Sequence, residues 1–291
     1  MNRFQKSVFI FAMMVLILAC SIASNPTTAP QSIATIVAGT IQAITAAPTN
    51  SLQATSIIKI TATGTPAMQG VSASYNNVSF IIPQGLANGT ANATTSDIEL
   101  PYTNPGGGDM PQHTKIILNG YPIQNTILQP QITVFKSAEY AQYGDLTQQI
   151  ISALQNLNYT QGQPLPQGLP AGDLNFNAQI RAVNFANGHG IRYFTQFDQA
   201  VLPINNRELI YYFQGISNND YYVQVILPVQ ASFLAPDENP NSPLPANGIP
   251  FYADQSYFNA IAQQLNATPL DQFSPSLTSL DALVQSITVN P

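Results

Sequence analysis

Glu208–Leu227 reads ELIYYFQGISNNDYYVQVIL. Two runs rich in Tyr, Phe, Val and Ile stand either side of Ser217-Asn218-Asn219-Asp220. Aromatic and β-branched side chains favour a pleated strand, and Asn and Asp tolerate the positive φ of a tight turn. The stretch predicts a β-hairpin with strands over Glu208–Phe213 and Tyr221–Leu227. Alternation sets the faces: Tyr221, Val223, Val225 and Leu227 share one side, and Tyr222, Gln224 and Ile226 the other.

Just upstream, Ile180–Ala186 and Ile191–Phe197 flank Asn187-Gly188-His189-Gly190. This is the pattern of a second hairpin, its turn built on Gly and Asn. Four consecutive antiparallel strands with one apolar and one mixed face need helices to cover them. The expected class is α+β: an antiparallel sheet of two consecutive hairpins plus N-terminal strands, covered by helices.

The rest of the chain supplies those parts. Asn77–Pro83, Lys115–Leu118 and Gln131–Phe135 read as strands, with a long loop over Gln84–Gln112. Glu139–Leu157 reads as one helix with Tyr143, Leu146, Ile150, Leu154 and Leu157 on one stripe and Ser137 as its N-cap. Pro164, Pro166 and Pro170 prevent its continuation. A proline-rich loop covers Gln230–Pro250. Helices are expected next at Asp254–Leu265 (Tyr257, Ile261 and Leu265 on one face) and Leu277–Gln285.

Composition narrows the setting. Only 8% of the 291 residues are charged, while 45% are hydrophobic, with 13 Tyr and 14 Phe. An average soluble chain carries roughly 25% charged residues. The core supply is adequate although the surface is sparingly charged. The formal charge is −6, and no Lys/Arg cluster exists, which argues against nucleic acid. The single cysteine excludes an intramolecular disulfide.

That cysteine, Cys20, closes a distinctive N-terminal segment. Arg3 and Lys6 are followed by the uncharged, mostly apolar residues 7–19. The length suits a signal-peptide apolar region and is short of the ~20 residues of a spanning helix. Ile17-Leu18-Ala19-Cys20 resembles the lipobox of bacterial lipoproteins, with Ile17, Ala19 and Cys20 matching. The resemblance implies cleavage before Cys20, lipidation of its thiol, and a protein held on the extracytoplasmic face of the cell membrane. Loss of Arg3 and Lys6 with the leader would move the charge from −6 to −8 (8 basic side chains less 2, against 14 acidic).

Residues 21–58 carry no charge and are rich in Ser, Thr, Ala, Pro and Ile. They read as a tether. Ile33, Ile36, Val37, Ile41 and Ile44 recur at near-helical spacing within it. The expected organisation is therefore a leader at 1–19, a tether at 20–68 that is partly helical, and one α+β domain at 69–291.

The order of elements over Val71–Val289 resembles that of the PsbP family of extrinsic photosystem subunits and their bacterial relatives, and Leu280-Asp281-Ala282-Leu283-Val284-Gln285-Ser286-Ile287 is similar to the closing helix of that family. That resemblance implies an α/β/α sandwich and a non-enzymatic module that docks on other proteins. The chain also resembles uncharacterised bacterial lipoproteins with a Thr/Ala/Pro tether.

A search for catalytic chemistry finds little. His113 and His189 have no His or Cys partner at metal-ligand spacing, and His189 reads as an exposed turn residue. No Gly-x-Ser-x-Gly is present. No cofactor motif is found: the glycines of Pro105-Gly106-Gly107-Gly108 lack the Lys-Ser/Thr of a phosphate loop. Asp198, Glu208 and Asp220 are the candidates for a hydrolytic carboxylate pair, and exposed strand ends explain them equally well. Asp237-x-Asn239-x-Asn241 has the opening spacing of a calcium loop, but Ser242 and Gly248 stand where Gly and Glu are needed. Local Asx turns are the simpler reading.

Eight aromatics lie between Tyr193 and Tyr222. Tyr212 and Tyr222, with Arg192, Gln214 and Gln224, are the candidate partner-binding face. The alternative is that helices cover this face and the tyrosines pack across strands. The sequence thus points to an anchored, non-catalytic binding or assembly module at the cell envelope, with an envelope protein as partner. A secreted hydrolase with a dispersed carboxylate site and a structural surface component are the rival readings.

Overall fold

Both expected hairpins form, and they form in series. In the computed structural model, which describes residues 69–89, 91–96, 111–157, 173–174, 176–198 and 200–291, β10 (Ile210–Ser217) pairs antiparallel with β11 (Tyr221–Pro228), and β7 (Ala178–Phe185) with β8 (Gly188–Thr195). β8 also pairs with β10, so the four make a meander. The expectations for the leader, Cys20 and the tether fall outside the described residues.

The meander is part of a larger sheet. β11 pairs along its other edge with β5 (Gln131–Lys136), which pairs with β4 (His113–Leu118), which pairs with β3 (Ala91–Ser96). The order is β3-β4-β5-β11-β10-β8-β7, antiparallel throughout. The expected long loop over Gln84–Gln112 therefore contains a strand, Ala91–Ser96, whose Asn/Ala/Thr/Ser composition gives no hydrophobic signal. A smaller sheet joins β1 (Gly70–Tyr75), β2 (Val78–Pro83) and the short β12 (Thr288–Val289). Its hairpin turns at Asn76-Asn77, with Asn76 at φ 50, the left-handed region that Asn tolerates best among non-glycine residues. β6 (Asp173–Leu174) and β9 (Phe197–Asp198) form a two-stranded patch.

Helices cover both faces of the large sheet. On one side, Phe194, Tyr211, Phe213, Val223, Val225 and Leu227 pack with α3 (Gln255–Ala267), α4 (Leu277–Ser286) and the β1–β2 hairpin in one core. Burying each large apolar side chain of this set is worth about 1.5–3 kcal/mol. The α3 stripe is Tyr257, Phe258, Ile261 and Leu265. Asp254 caps the helix by accepting from the backbone N–H of Ser256 and Tyr257.

On the other side, α1 (Ser137–Ala141) and α2 (Asp145–Gln155) pack Tyr140, Ile150, Ile151 and Leu154 against Phe135, Ile191, Ile216 and Tyr222. The single helix expected over Glu139–Leu157 is two. Gly144 interrupts it, since glycine costs about 1 kcal/mol in a helix interior. Tyr143 falls in the break and is exposed, so it leaves the stripe. Ser137 is the first residue of α1 rather than its cap.

The first hairpin corrects another expectation. Its turn is only Ala186-Asn187, and Gly188, His189 and Gly190 belong to β8. The glycines serve packing rather than the turn. Gly190 lies opposite Gly215, and a Cβ on Gly190 would collide with the Gln214 carbonyl oxygen, the Gly215 backbone and the Phe213 ring. Phe213 covers this glycine pair and meets Phe185 edge-on, with centroids 5.9 Å apart. Gly190→Ala is therefore expected to cost about 3 kcal/mol, read as a lower urea midpoint at an unchanged m-value. A midpoint equal to that of the parent would contradict the close approach.

Candidate functional site

The residues expected to form one face are divided by the sheet. Along β10 and β11, Tyr212, Gln214, Tyr222 and Gln224 point to the α1–α2 side. Arg192 lies opposite Phe213 in the β8–β10 register and points to the α3–α4 side. All four predicted binding residues are buried: Tyr212 and Tyr222 are 0% exposed, Arg192 2% and Gln224 3%. The expected exposed partner-binding face of Tyr212, Tyr222, Arg192 and Gln224 is thus corrected, because strand parity separates Arg192 and packing covers the rest.

The tyrosines and glutamines satisfy one another instead. Gln224 Nε2 donates to Tyr212 Oη at 2.7 Å, Gln214 Nε2 donates to Tyr193 Oη at 3.0 Å, and Tyr222 Oη donates to Gln214 Oε1 at 3.1 Å. The Tyr140 ring stacks on Tyr222 with centroids 4.5 Å apart. Tyr193 meets Tyr212 edge-on at 5.5 Å. Burial pushes the phenol of Tyr140 up to about 12 and raises those of Tyr193, Tyr212 and Tyr222 as well. Each glutamine supplies donors and an acceptor that an aliphatic neighbour would lack, which makes burial of the hydroxyls tolerable.

On the opposite face, Arg192 holds Asp281 of α4. Its Nε donates to Asp281 Oδ1 at 3.2 Å and its Nη2 to Oδ2 at 3.4 Å. Tyr211 Oη donates to the same Oδ1 at 3.0 Å. The remaining Nη1 donates to the carbonyl of Gln179. Gln179 sits at φ 53 in the irregularity of β7, and its side chain donates to the Leu265 carbonyl of α3 at 2.9 Å. This is a buried, hydrogen-bonded clasp between sheet and helices.

The candidate carboxylates are partly brought together. Gln196 Nε2 donates to Asp198 Oδ2 at 2.7 Å, Gln196 Oε1 accepts from the Asn205 N–H at 3.0 Å, and Asn205 Nδ2 donates to Glu208 Oε2 at 2.6 Å. Burial raises the Glu208 pKa, with the charges of Asp198 and Glu238 adding to it and the Asn205 bond and Arg207 opposing. Asp220 does not join them. It turns the β10–β11 hairpin at the other end of an 8-residue strand, about 25 Å away along β10.

The other sequence candidates have local roles. Asn239 N–H donates to Asp237 Oδ1 at 3.1 Å, and Asn241 N–H to Asn239 Oδ1 at 3.0 Å. Those are Asx turns within the proline-rich loop. His189 is half-buried in β8, not in a turn, and its Nε2 donates to the Leu154 carbonyl in the last turn of α2 at 3.0 Å. Among the described residues, no group of His, Cys, Asp and Glu is placed to hold a metal ion. No described helix is long and apolar enough to cross a membrane.

His113 leads to a cleft of about 270 Å³ at one end of the large sheet. Its walls come from the β1–β2 turn (Asn76, Asn77), β4 (His113, Thr114), β5 and α1 (Lys136, Glu139), Tyr221 and Pro291. Lys136 Nζ lies 3.1 Å from Glu139 Oε1. His113 is buried against Phe135, centroids 4.9 Å apart, and its Nδ1 donates to the Pro111 carbonyl at 2.8 Å. Two further clefts, of about 400 and 250 Å³, have no charged side chain among the described residues of their walls. Sequence reasoning singles out only His113 of this set. Asn76-Asn77 is legible as a polar pair before a strand, but nothing local links it to Lys136, about sixty residues on.

Comparison of the chain with family models, with curated proteins and with solved structures gave no match.

The buried phenols predict a pH dependence. The unfolded chain ionises its tyrosines near pH ~10, while Tyr140, Tyr193, Tyr212 and Tyr222 keep their protons in the fold. With raised folded pKa values, their contribution is complete below pH ~10 and is lost as pH rises beyond it. Spectrophotometric titration should show part of the phenolate signal appearing only together with cooperative loss of the near-UV circular dichroism. Ionisation of every tyrosine before that loss would contradict the burial.

Proposed function

We propose that the chain is a lipid-anchored protein of the extracytoplasmic face of the cell membrane, and that its α+β domain is a non-catalytic binding or assembly module there. The observation that carries the proposal is Cys20. It is the single cysteine, and it follows a basic start, an uncharged apolar run and Ile17-Leu18-Ala19. Each buried acyl CH₂ contributes about 0.8 kcal/mol, so two or three chains on Cys20 hold firmly. The charge-free residues 21–58 suit a spacer between membrane and domain.

The domain is read as a PsbP-like α/β/α sandwich. In support, an antiparallel sheet carries α1 and α2 on one face and α3 and α4 on the other, and the closing helix holds the Leu280–Ile287 motif. A binding role is supported by the engagement of the candidate carboxylates with amides, and by exposed Leu244 and Tyr252 in and after the proline-rich loop. A hydrolase is the second reading. It is favoured by one observation, the raised pKa of Glu208 beside Asp198.

Expression of the full chain with a fatty-acid probe is expected to label the protein and leave it in the membrane fraction. Cys20→Ala is expected to abolish the label and release the protein from that fraction. Equal labelling of the variant would sink the anchor.

A further inference from the structure

We infer that two copies of this chain join edge to edge through β1, related by a two-fold axis at Ser72. The inference goes beyond the proposed function and does not depend on lipidation of Cys20.

The pairing of β1 decides which of its backbone groups are left over. Gln84 N–H donates to the Gln69 carbonyl at 3.1 Å, and Gly70 lies opposite Pro83 in the β1–β2 register. Gln69 and Gln84 are thus a hydrogen-bonded pair, and such pairs recur at every second residue. Val71, Ala73 and Tyr75 therefore turn their N–H and C=O groups to β2, while Gly70, Ser72 and Ser74 turn theirs outward. Pro83, with no N–H to give, fits its place opposite Gly70. β1 is the outermost strand of its sheet, and Gly70, Ser72 and Ser74 are exposed.

Two other edges are protected, and this one is not. The unpaired groups of an exposed edge are a template for another strand. At the far edge of the small sheet, Asn187 Nδ2 and Asn219 Nδ2 donate to the Val289 carbonyl at 2.6 and 2.9 Å, and Asn187 Oδ1 accepts from the Val289 N–H at 3.0 Å. β7, at one end of the large sheet, carries an irregularity at Gln179 and the exposed charge of Arg181. β1 has no charge, no proline and no irregularity. Among the described residues, no side chain caps its outward groups.

Charge and register select the occupant. Residues 60–96 contain no charged side chain. The edge therefore offers no counter-charge to an acidic or basic segment, and no repulsion to its own copy. Gly70-Val71-Ser72-Ala73-Ser74 is self-complementary when run antiparallel about Ser72. Gly70 then meets Ser74 of the second copy, and Ser72 meets Ser72. Each copy donates through all three of its outward N–H groups and accepts at all three outward carbonyls. On the inner face, Val71 meets Ala73 of the second copy. Val71 is 52% exposed although it shares that face with core-packed Ala73 and Tyr75, and the second copy covers it. Both open edges are consumed by the same contact, so assembly stops at two. An edge of 6 residues buries less than the roughly 1,200 Å² of a standard interface. Association is accordingly reversible, with a dissociation constant between about 1 μM and 1 mM.

Two measurements on the full chain in detergent test this, with Cys20→Ala as the parent so that no native thiol is present. In the first, Ser72→Cys is expected to give a disulfide-linked dimer with copper–phenanthroline as oxidant. Opposed Cα atoms of a hydrogen-bonded pair lie about 5.5 Å apart, within disulfide range. Ser74→Cys is expected to stay unlinked, because its two copies are offset by about 14 Å along the strands. In the second, sedimentation equilibrium is expected to show reversible dimerisation of the parent, weakened about thirtyfold by Ser72→Pro, which removes two hydrogen bonds. The Ser72 N–H faces away from β2, so Ser72→Pro should fold, which circular dichroism checks. A parent that stays monomeric up to millimolar concentration would overturn the inference. Equal crosslinking of Ser72→Cys and Ser74→Cys would do the same, as would a folded Ser72→Pro that dimerises like the parent.

Discussion

The contact on which most of the domain depends is the one between Arg192 and Asp281. Among the described residues, Arg192 is the one buried Arg or Lys side chain. Leaving a guanidinium in a dry core without its partner is costly, so sheet and closing helix must meet in the register that brings Asp281 to it. Tyr211 and the Gln179 carbonyl occupy further hydrogen-bonding positions. Placement of α4 then fixes the C-terminal residues beyond it. Ser286 Oγ accepts from the Ile81 N–H of β2 at 2.9 Å, Val289 exchanges hydrogen bonds with the Asn187 side chain, and Asn290 N–H donates to the Asn77 carbonyl at 2.8 Å. The small sheet, the hairpin tip and one wall of the cleft all hang from that helix.

The two faces of the large sheet solve burial differently. The α3–α4 side is aliphatic and aromatic, with its charge gathered at Asp281, which buried Arg192 holds at 3.2 Å and exposed Arg181 approaches at 3.9 Å. The α1–α2 side carries Tyr140, Tyr193, Tyr212 and Tyr222 with Gln214 and Gln224 among Ile and Leu. With only 8% charged residues, the chain relies on amides and hydroxyls where other proteins use salt bridges. Tyr–Gln pairs bring apolar area and satisfied polar tips together. The result is a set of central strands, β5, β8, β10 and β11, buried on both faces, which leaves the strand ends and loops as surfaces for recognition.

Legibility tracks locality. The β10–β11 hairpin can be read because strict alternation over Tyr221–Leu227 and the Asn-Asn-Asp turn lie within twenty residues of one another. The helices α3 and α4 can be read from their stripes. β3 cannot, because ANATTS holds no apolar residue larger than Ala; β1 does alternate Val71, Ala73 and Tyr75 with Ser72 and Ser74, but its small, Ser-rich side chains make the signal weak. The pairing of β5 with β11 joins segments some ninety residues apart, and no local signal announces it. Grouping Arg192 with Tyr212 and Tyr222 fails for the same reason. Alternation along β8 groups Arg192 with Phe194, but which face of β10 they share depends on the register across the Phe197–Leu209 connection. The cleft is less legible still, since it is assembled from the β1–β2 turn, β4, β5, α1 and the C-terminal residues. The glycines of β8 show the converse error. Gly188 and Gly190 look like a turn, whereas they are small because Phe185, Phe213 and the β10 backbone occupy the space.

A double-mutant cycle at Arg192 and Asp281, read by urea denaturation, tests this account most directly. Asp281→Leu should lower stability by about 3–5 kcal/mol, because it leaves the Arg192 guanidinium buried alone, and Arg192→Leu by less, because exposed Arg181 still lies 3.9 Å from the Asp281 carboxylate. The double variant, which removes both charges, should be markedly more stable than the two losses added together. Simple additivity of the two losses would contradict the claim that this pair holds the closing helix to the sheet.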